Sequence, residues 1–210
     1  LGVYGANYKL AVLMTLFIQM FRYAAEPFFF SQSKESNAKG TYADVMKYFV
    51  IFGLFIFLGV MLYLDLVKFF IGPDFRAGLR IVPIVLLANL FLGIFYNLSV
   101  WYKLNDLTRY GAVLALLGSL ITLLILFLLI PVVGYIGAAW AHFSCYGTMM
   151  ILSYFWGRKY YPIPYDLRTI GLYVLVAMSL YTVSELIPES SLVIHLSINT
   201  ILLSLFVALV

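Results

Sequence analysis

Polar side chains recur along one side of the first hydrophobic segment of this sequence. At about 100° per residue in a helix, six of them fall within an arc of about 60°. If the segment crosses a membrane, this stripe must face protein or water, because lipid offers no hydrogen-bond partner. The stripe therefore predicts the wall of a polar cavity. Its members are Tyr4, Tyr8, Thr15, Gln19, Arg22 and Glu26.

Arg22 and Glu26 are the charged members of the stripe, and two interpretations of them stay open. They are spaced i, i+4, so they can form a structural ion pair. Alternatively, the planar guanidinium of Arg22 can bind two oxygens of an anionic substrate group. Lys9 lies off the stripe and is either an interfacial anchor or a substrate-binding cation. Asn89, in the third hydrophobic segment, fits either an interhelical hydrogen bond or the lining of the same cavity.

The composition indicates that these residues lie in a membrane protein. Of the 210 residues, 64% are hydrophobic and 10% are charged, and the mean hydropathy is +1.03. A soluble domain is about half apolar and about a quarter charged. Lipid must therefore surround most of this chain, which excludes a soluble enzyme and a nucleic-acid-binding protein. The single cysteine, Cys145, excludes an internal disulfide and a cysteine metal site.

Hydrophobic segments long enough to cross a bilayer recur throughout the chain. A bilayer core of about 30 Å takes roughly 20 apolar residues of helix. Between Arg109 and Arg158 lie 48 residues without a formal charge, which fits two spans joined by a turn at Pro131 to Gly134. The sequence thus predicts an all-α, polytopic membrane helix bundle. Its seven predicted spans are 4–30, 48–64, 81–102, 111–130, 135–156, 169–187 (closed by Pro188) and 191–210.

Loop charges predict the orientation of the bundle. Loops after odd-numbered spans carry eight lysines and arginines, whereas loops after even-numbered spans carry three. The positive-inside rule therefore places the odd-span loops in the cytoplasm and starts the first span outside. Because the chain begins with Leu1 rather than Met, we expect it to start inside a longer protein. It also stops at Val210 within an apolar run, so we expect the same of its other end.

Three stretches together resemble the motifs of one transporter family. They are LGVYGANYKL at residues 1–10 with the later Glu26-Pro27, IPVVGYIGAAWA at 130–141, and YYPIPYDL at 160–167. In their order and spacing they are similar to motifs of the flippases for lipid-linked oligosaccharides of O-antigen and capsule. That family belongs to the superfamily that also holds the multidrug and toxin extrusion proteins.

The resemblance implies that the seven spans correspond to helices eight to fourteen of a fourteen-helix flippase. Residues 1–156 would form five helices of its C-terminal lobe, lacking the preceding helix, and residues 157–210 two additional C-terminal helices. The N-terminal half of the protein would then be missing from this chain. The implied activity is alternating-access flipping of undecaprenyl-diphosphate-linked oligosaccharide across the bacterial cytoplasmic membrane, for polysaccharide or lipopolysaccharide biosynthesis.

No motif of the family fixes the substrate-binding residues, so the candidates are chosen by position and physics alone. Flipping breaks no bond and needs only a polar path for the sugar and cations for the diphosphate. We therefore expect no enzymatic activity, no cofactor and no metal ion, because His142 and His195 have no catalytic or metal motif around them. The candidates for the cavity are Arg22, Glu26, Gln19, Thr15, Lys9 and Asn89.

Three other functions stay open at this point. A cation-coupled multidrug or metabolite antiporter of the same superfamily would use an acidic group such as Glu26. A membrane-embedded glycan polymerase or ligase would need a long external loop with charged residues, and the sequence has none of that length. A structural membrane subunit is the third alternative.

The predicted orientation can be tested at Ser36, in the first odd-span loop. We expect a cysteine introduced there, in a chain whose Cys145 has been replaced, to resist an impermeant thiol reagent in whole cells. Labelling after the cells are permeabilised is the control. Ready labelling of intact cells would contradict the cytoplasmic placement of this loop.

Overall fold

The chain folds as an all-α helical bundle, which confirms the predicted fold class. The computed structural model describes residues 2–187 and 192–210, and every regular element among them is a helix. Ten α-helices are present in this part of the chain: α1 (Gly2–Tyr8), α2 (Val12–Gln32), α3 (Ala38–Leu62), α4 (Leu64–Val67), α5 (Val82–Leu98), α6 (Val100–Leu104), α7 (Thr108–Val133), α8 (Tyr135–Tyr160), α9 (Leu167–Leu186) and α10 (Leu192–Leu209). Three 3₁₀ helices lie at Lys9–Ala11, Lys68–Phe70 and Pro73–Ile81.

Within residues 2–187 and 192–210, four helical segments are long and apolar enough to cross a membrane, which indicates a multi-pass membrane protein. They are Ala38–Leu62, Pro73–Leu104, Thr108–Val133 and Leu167–Leu186. The apolar part of α10 is shorter. Of the seven predicted spans, the first and the fifth correspond to α2 and α8, which have the length but carry more polar side chains. The predicted Pro188 stop and Ser191 start lie outside the described residues.

The first hydrophobic segment is broken, where the sequence predicts one continuous helix. A 3₁₀ turn at Lys9–Ala11 separates α1 from α2. The side-chain amide of Asn7 donates to the carbonyl oxygens of Val3 and Phe75, each at 2.8 Å. Asn7 is buried against Gly78, where a Cβ atom would collide with its side chain. Asn7 therefore holds α1 against the 3₁₀ helix Pro73–Ile81 by a hydrogen bond and by close packing.

The turn between α7 and α8 consists of a single glycine. Gly134 has φ +59° and ψ −134°, a conformation that only glycine adopts readily. Pro131 lies inside α7, so the predicted four-residue turn is wrong in length, although its position is right. The two helices consequently pack antiparallel along their length.

The loop between α8 and α9 ends in a helix cap. The carboxylate of Asp166 accepts a hydrogen bond from the backbone N–H of Thr169 at 3.1 Å. Hydrogen bonding by the side chain of Thr169, together with its backbone N–H, favours the ionised carboxylate and lowers the pKa of Asp166. The cap fixes where α9 begins, two residues before the predicted start of the sixth span.

Helix α5 is the centre of the bundle. It packs against α2, α3 and α8, while α9 and α10 pack against α3 on the far side. Helix α7 lies at the periphery and exposes a long apolar surface, as expected of a helix in contact with lipid. Its most exposed side chains include Leu116, Leu120, Leu123 and Phe127.

Close packing around α5 depends on Gly93, and we expect Gly93→Leu to destabilise the bundle. A side chain there would overlap the buried ring of Phe49 and press on Ile18. Overpacking of this kind costs about 1–3 kcal/mol or more. Thermal unfolding in detergent measures the loss. The matched control is Gly171→Leu, whose Cβ meets no neighbouring atom within 4 Å; equal melting temperatures for the two variants would contradict the close packing at Gly93.

Candidate functional site

The six polar residues of the first segment lie at the edge of its buried face. All six are half-buried, whereas the neighbouring face, which includes Ala11, Met14 and Ile18, is buried in the core. Their partners come from α5, α6 and α8. We call the combined surface the polar lane. It consists of Tyr4, Tyr8, Thr15, Gln19, Arg22, Glu26, Asn89, Tyr96, Lys103, His142 and Tyr146.

At one end of the polar lane, a single carboxylate oxygen contacts two cations. Glu26 Oε1 lies 3.3 Å from Arg22 Nε and 2.6 Å from Lys103 Nζ. Arg22 belongs to α2, one turn before Glu26, whereas Lys103 belongs to α6. We call these three residues the charged trio. Two cations and one acid give it a formal net charge of +1.

The charged trio is accessible rather than sealed in the core. The exposed fractions of its side chains are 41% for Arg22, 40% for Glu26 and 27% for Lys103. Arg22 Cζ also lies 4.8 Å from the centre of the Tyr96 ring, which supports the guanidinium from one side. Of the three guanidinium nitrogens of Arg22, only Nε has a hydrogen-bond partner among the described residues. The two Nη groups thus keep their donors for another acceptor.

The middle of the polar lane is uncharged. The Asn89 side-chain amide donates to Thr15 Oγ1 at 3.3 Å, and that hydroxyl in turn donates to the Ala11 carbonyl at 3.3 Å. Gln19 is half-buried and bonds to no other side chain in the described part of the protein. The structure therefore shows Asn89, which is buried, in the interhelical hydrogen bond that is one of its two interpretations.

The far end of the polar lane is a row of four rings, which we call the ring row: Tyr8, Tyr4, His142 and Tyr146. Successive ring centres lie 5.9, 6.4 and 5.8 Å apart. The Tyr4 hydroxyl lies 3.2 Å from His142 Nδ1, which also contacts the Ala138 carbonyl at 3.0 Å. His142, without a partner in the sequence, thus gains one from the first segment.

Lys9 is the one sequence candidate that the structure does not bring to the lane. It is exposed in the 3₁₀ turn and forms no ion pair with the described residues. Conversely, Lys103 enters the site although the sequence indicates only a loop charge. Its signal is spacing: Asn89, Tyr96 and Lys103 are seven residues apart, and this repeat keeps them on one helix face.

An apolar cavity inside the bundle lies away from the polar lane. Its volume is about 300 Å³, and it lies between α3, α5, α8 and α9. Phe91, Ile94 and Leu98 line it from the face of α5 opposite to Asn89 and Tyr96. Because its lining offers no charged group, it does not suit a charged ligand.

We expect the polar lane to be accessible to water when the protein is in a membrane. A cysteine at Gln19 should react with a small charged thiol reagent much faster than a cysteine at Met20, in a chain without Cys145. The control is stringent because Met20 is 69% exposed in the isolated chain. It faces away from the lane, so lipid should shield it. Equal or faster labelling at Met20 would contradict an aqueous lane.

Comparison of the chain with family models, with curated proteins and with solved structures gives no significant match. A function must therefore be argued from the residues and geometry of the polar lane.

Proposed function

We propose that this protein is a transporter that moves undecaprenyl-diphosphate-linked oligosaccharide across the bacterial cytoplasmic membrane, in the synthesis of a surface polysaccharide. The observation that carries the proposal is the polar lane, with the charged trio at one end and uncharged polar groups along the rest. A lipid-linked glycan has the same division, because its two phosphates are anionic and its sugars are largely uncharged.

The charged trio suits a diphosphate by its chemistry. A net positive charge attracts phosphate, and the guanidinium of Arg22 presents donors in a fork that matches two oxygens. Lys103 adds a second cation from another helix, 2.6 Å from the carboxylate oxygen that Arg22 also contacts. A phosphate oxygen can replace that carboxylate oxygen between the same two donors.

The proposed orientation places the trio where such a lipid would be collected. Helices α2, α6 and α8 end at the side of the bundle with the more basic loops, which the positive-inside rule assigns to the cytoplasm. Arg22, Glu26 and Lys103 lie near these ends. The diphosphate would then bind at the inner leaflet, and the rest of the polar lane would lead toward the outer leaflet.

The alternative function, a cation-coupled antiporter, needs an acidic group free to bind a cation. Glu26 accepts hydrogen bonds from both Arg22 and Lys103. Its charge is therefore already compensated. The net charge of the trio favours an anionic substrate over a cationic one.

We expect Arg22→Gln and Lys103→Gln each to reduce transport, and the double variant to abolish it. Loss of one hydrogen bond to a charged group costs about 1.5–3 kcal/mol, or roughly 10- to 100-fold in affinity. Either single variant leaves Glu26 paired with the remaining cation, so no buried charge is stranded. Surface polysaccharide in a strain that lacks the protein, complemented with the intact gene, gives the measurement.

Arg109→Gln is the matched control, because Arg109 is an exposed cation at the same end of the bundle and outside the lane. Full complementation by the double variant of Arg22 and Lys103, at an unchanged protein level, would contradict the proposed function. Restoration of transport when Glu26→Ala is added to Arg22→Ala would remove Arg22 from the site, because the pair would then be only structural.

A further inference from the structure

Resting on the proposed function, we propose that the ring row binds the sugar portion of the lipid-linked glycan. The polar lane then binds its substrate in one orientation. The diphosphate lies at the charged trio, and the glycan extends past Thr15 and Gln19 to Tyr4 and His142.

The chemistry of the ring row suits a sugar. A sugar ring has apolar C–H faces and a rim of hydroxyl groups, so it is recognised by flat rings together with hydrogen-bonding groups. The four rings are half-buried and each carries a polar atom. The Tyr4 and His142 rings lie at 17° to one another, close to parallel. The row carries no carboxylate or ammonium group, so it has no formal charge to attract an ion.

The length of the lane also fits. At a helical rise of about 1.5 Å per residue, the path along the first segment from Tyr4 to Arg22, through the 3₁₀ turn at Lys9–Ala11, is roughly 27 Å. This distance spans several sugar rings. The residues of the lane between them are uncharged, and Gln19 and Thr15 supply further donors and acceptors. A glycan that leaves the trio along the lane therefore meets polar groups throughout and reaches the ring row.

The alternative explanation for the ring row is helix packing between α1 and α8. Packing alone would not require a histidine and three tyrosines, since phenylalanine and leucine fill such contacts without polar atoms to satisfy. If the row only packed the helices, a substitution in it would also weaken the binding of every substrate equally. A sugar site, in contrast, affects only the part of the affinity that the glycan contributes.

The test compares two probes on the full-length protein in lipid nanodiscs. One is undecaprenyl diphosphate without sugar, and the other is the lipid-linked oligosaccharide purified from cells that produce the polysaccharide. We expect the glycan to increase affinity about tenfold or more, since each aromatic contact contributes roughly two- to tenfold. Tyr4→Leu and His142→Leu should remove most of this increase and leave the affinity for the sugar-free lipid unchanged.

Three further variants complete the design. Tyr4→Phe keeps the ring and should keep most of the glycan contribution. Tyr23→Leu, on the exposed side of α2 at 74% exposure, is the control and should have no effect. Arg22→Gln should weaken both probes by a similar factor.

The outcomes separate the two proposals. Equal affinity for both probes in the unmodified protein would overturn the sugar site and leave the diphosphate site standing. The same holds if Tyr4→Leu and His142→Leu preserve the glycan contribution. Failure of both probes to bind would contradict the proposed function and, with it, this inference. An unchanged affinity for the sugar-free lipid shows that a variant is folded.

Discussion

A polar group surrounded by hydrocarbon must find its partner within the protein or in water that the protein admits. Around α5 the bundle meets this constraint for several polar side chains of the first segment, although the Oδ1 atoms of Asn7 and Asn97 are buried without a hydrogen-bond partner among the described residues. Polar side chains of the first segment lie beside α5, α6 and α8, where Thr15 meets Asn89, Glu26 meets Lys103 and Tyr4 meets His142. The apolar residues of the same segment pack against α3 and α5 in the core. The outer helix α7 has few polar groups and can therefore face lipid directly.

Two local features let the helices meet in this way. Asn7 fixes α1 to the 3₁₀ helix Pro73–Ile81, and a 3₁₀ turn at Lys9–Ala11 separates α1 from α2. In the third hydrophobic segment, the hydroxyl of Ser99 donates to the Tyr96 carbonyl at 2.6 Å, and α5 ends and α6 begins around this residue. Side-chain bonds of this kind bend helices. Lys103 on α6 consequently reaches Glu26 across the helix boundary.

The sequence predicts the elements of this fold better than its contacts. Hydropathy locates the long helices because lipid imposes a minimum apolar length, and Gly134 marks the α7–α8 turn because of its backbone freedom. The break at Lys9–Ala11 has no glycine or proline to indicate it. The stripe from Tyr4 to Glu26 is visible because it repeats on one helix. Its pairing with Lys103 and His142 is not visible, since only packing between helices distant in sequence brings them together. The seven-residue spacing of Asn89, Tyr96 and Lys103 indicates a shared helix face but not what that face meets.

A transporter must bind its substrate and then release it. In the proposed function, the carboxylate of Glu26 limits how tightly the substrate is bound. Two unpaired cations, Arg22 and Lys103, would repel each other in the free protein and would hold a diphosphate tightly. Glu26 compensates one of these charges, so a phosphate gains only the difference between its own bonds and those of the carboxylate. Exchange of one oxygen for another at the same two donors is close to balanced. Binding is then strong enough to select an anion and weak enough to let it leave.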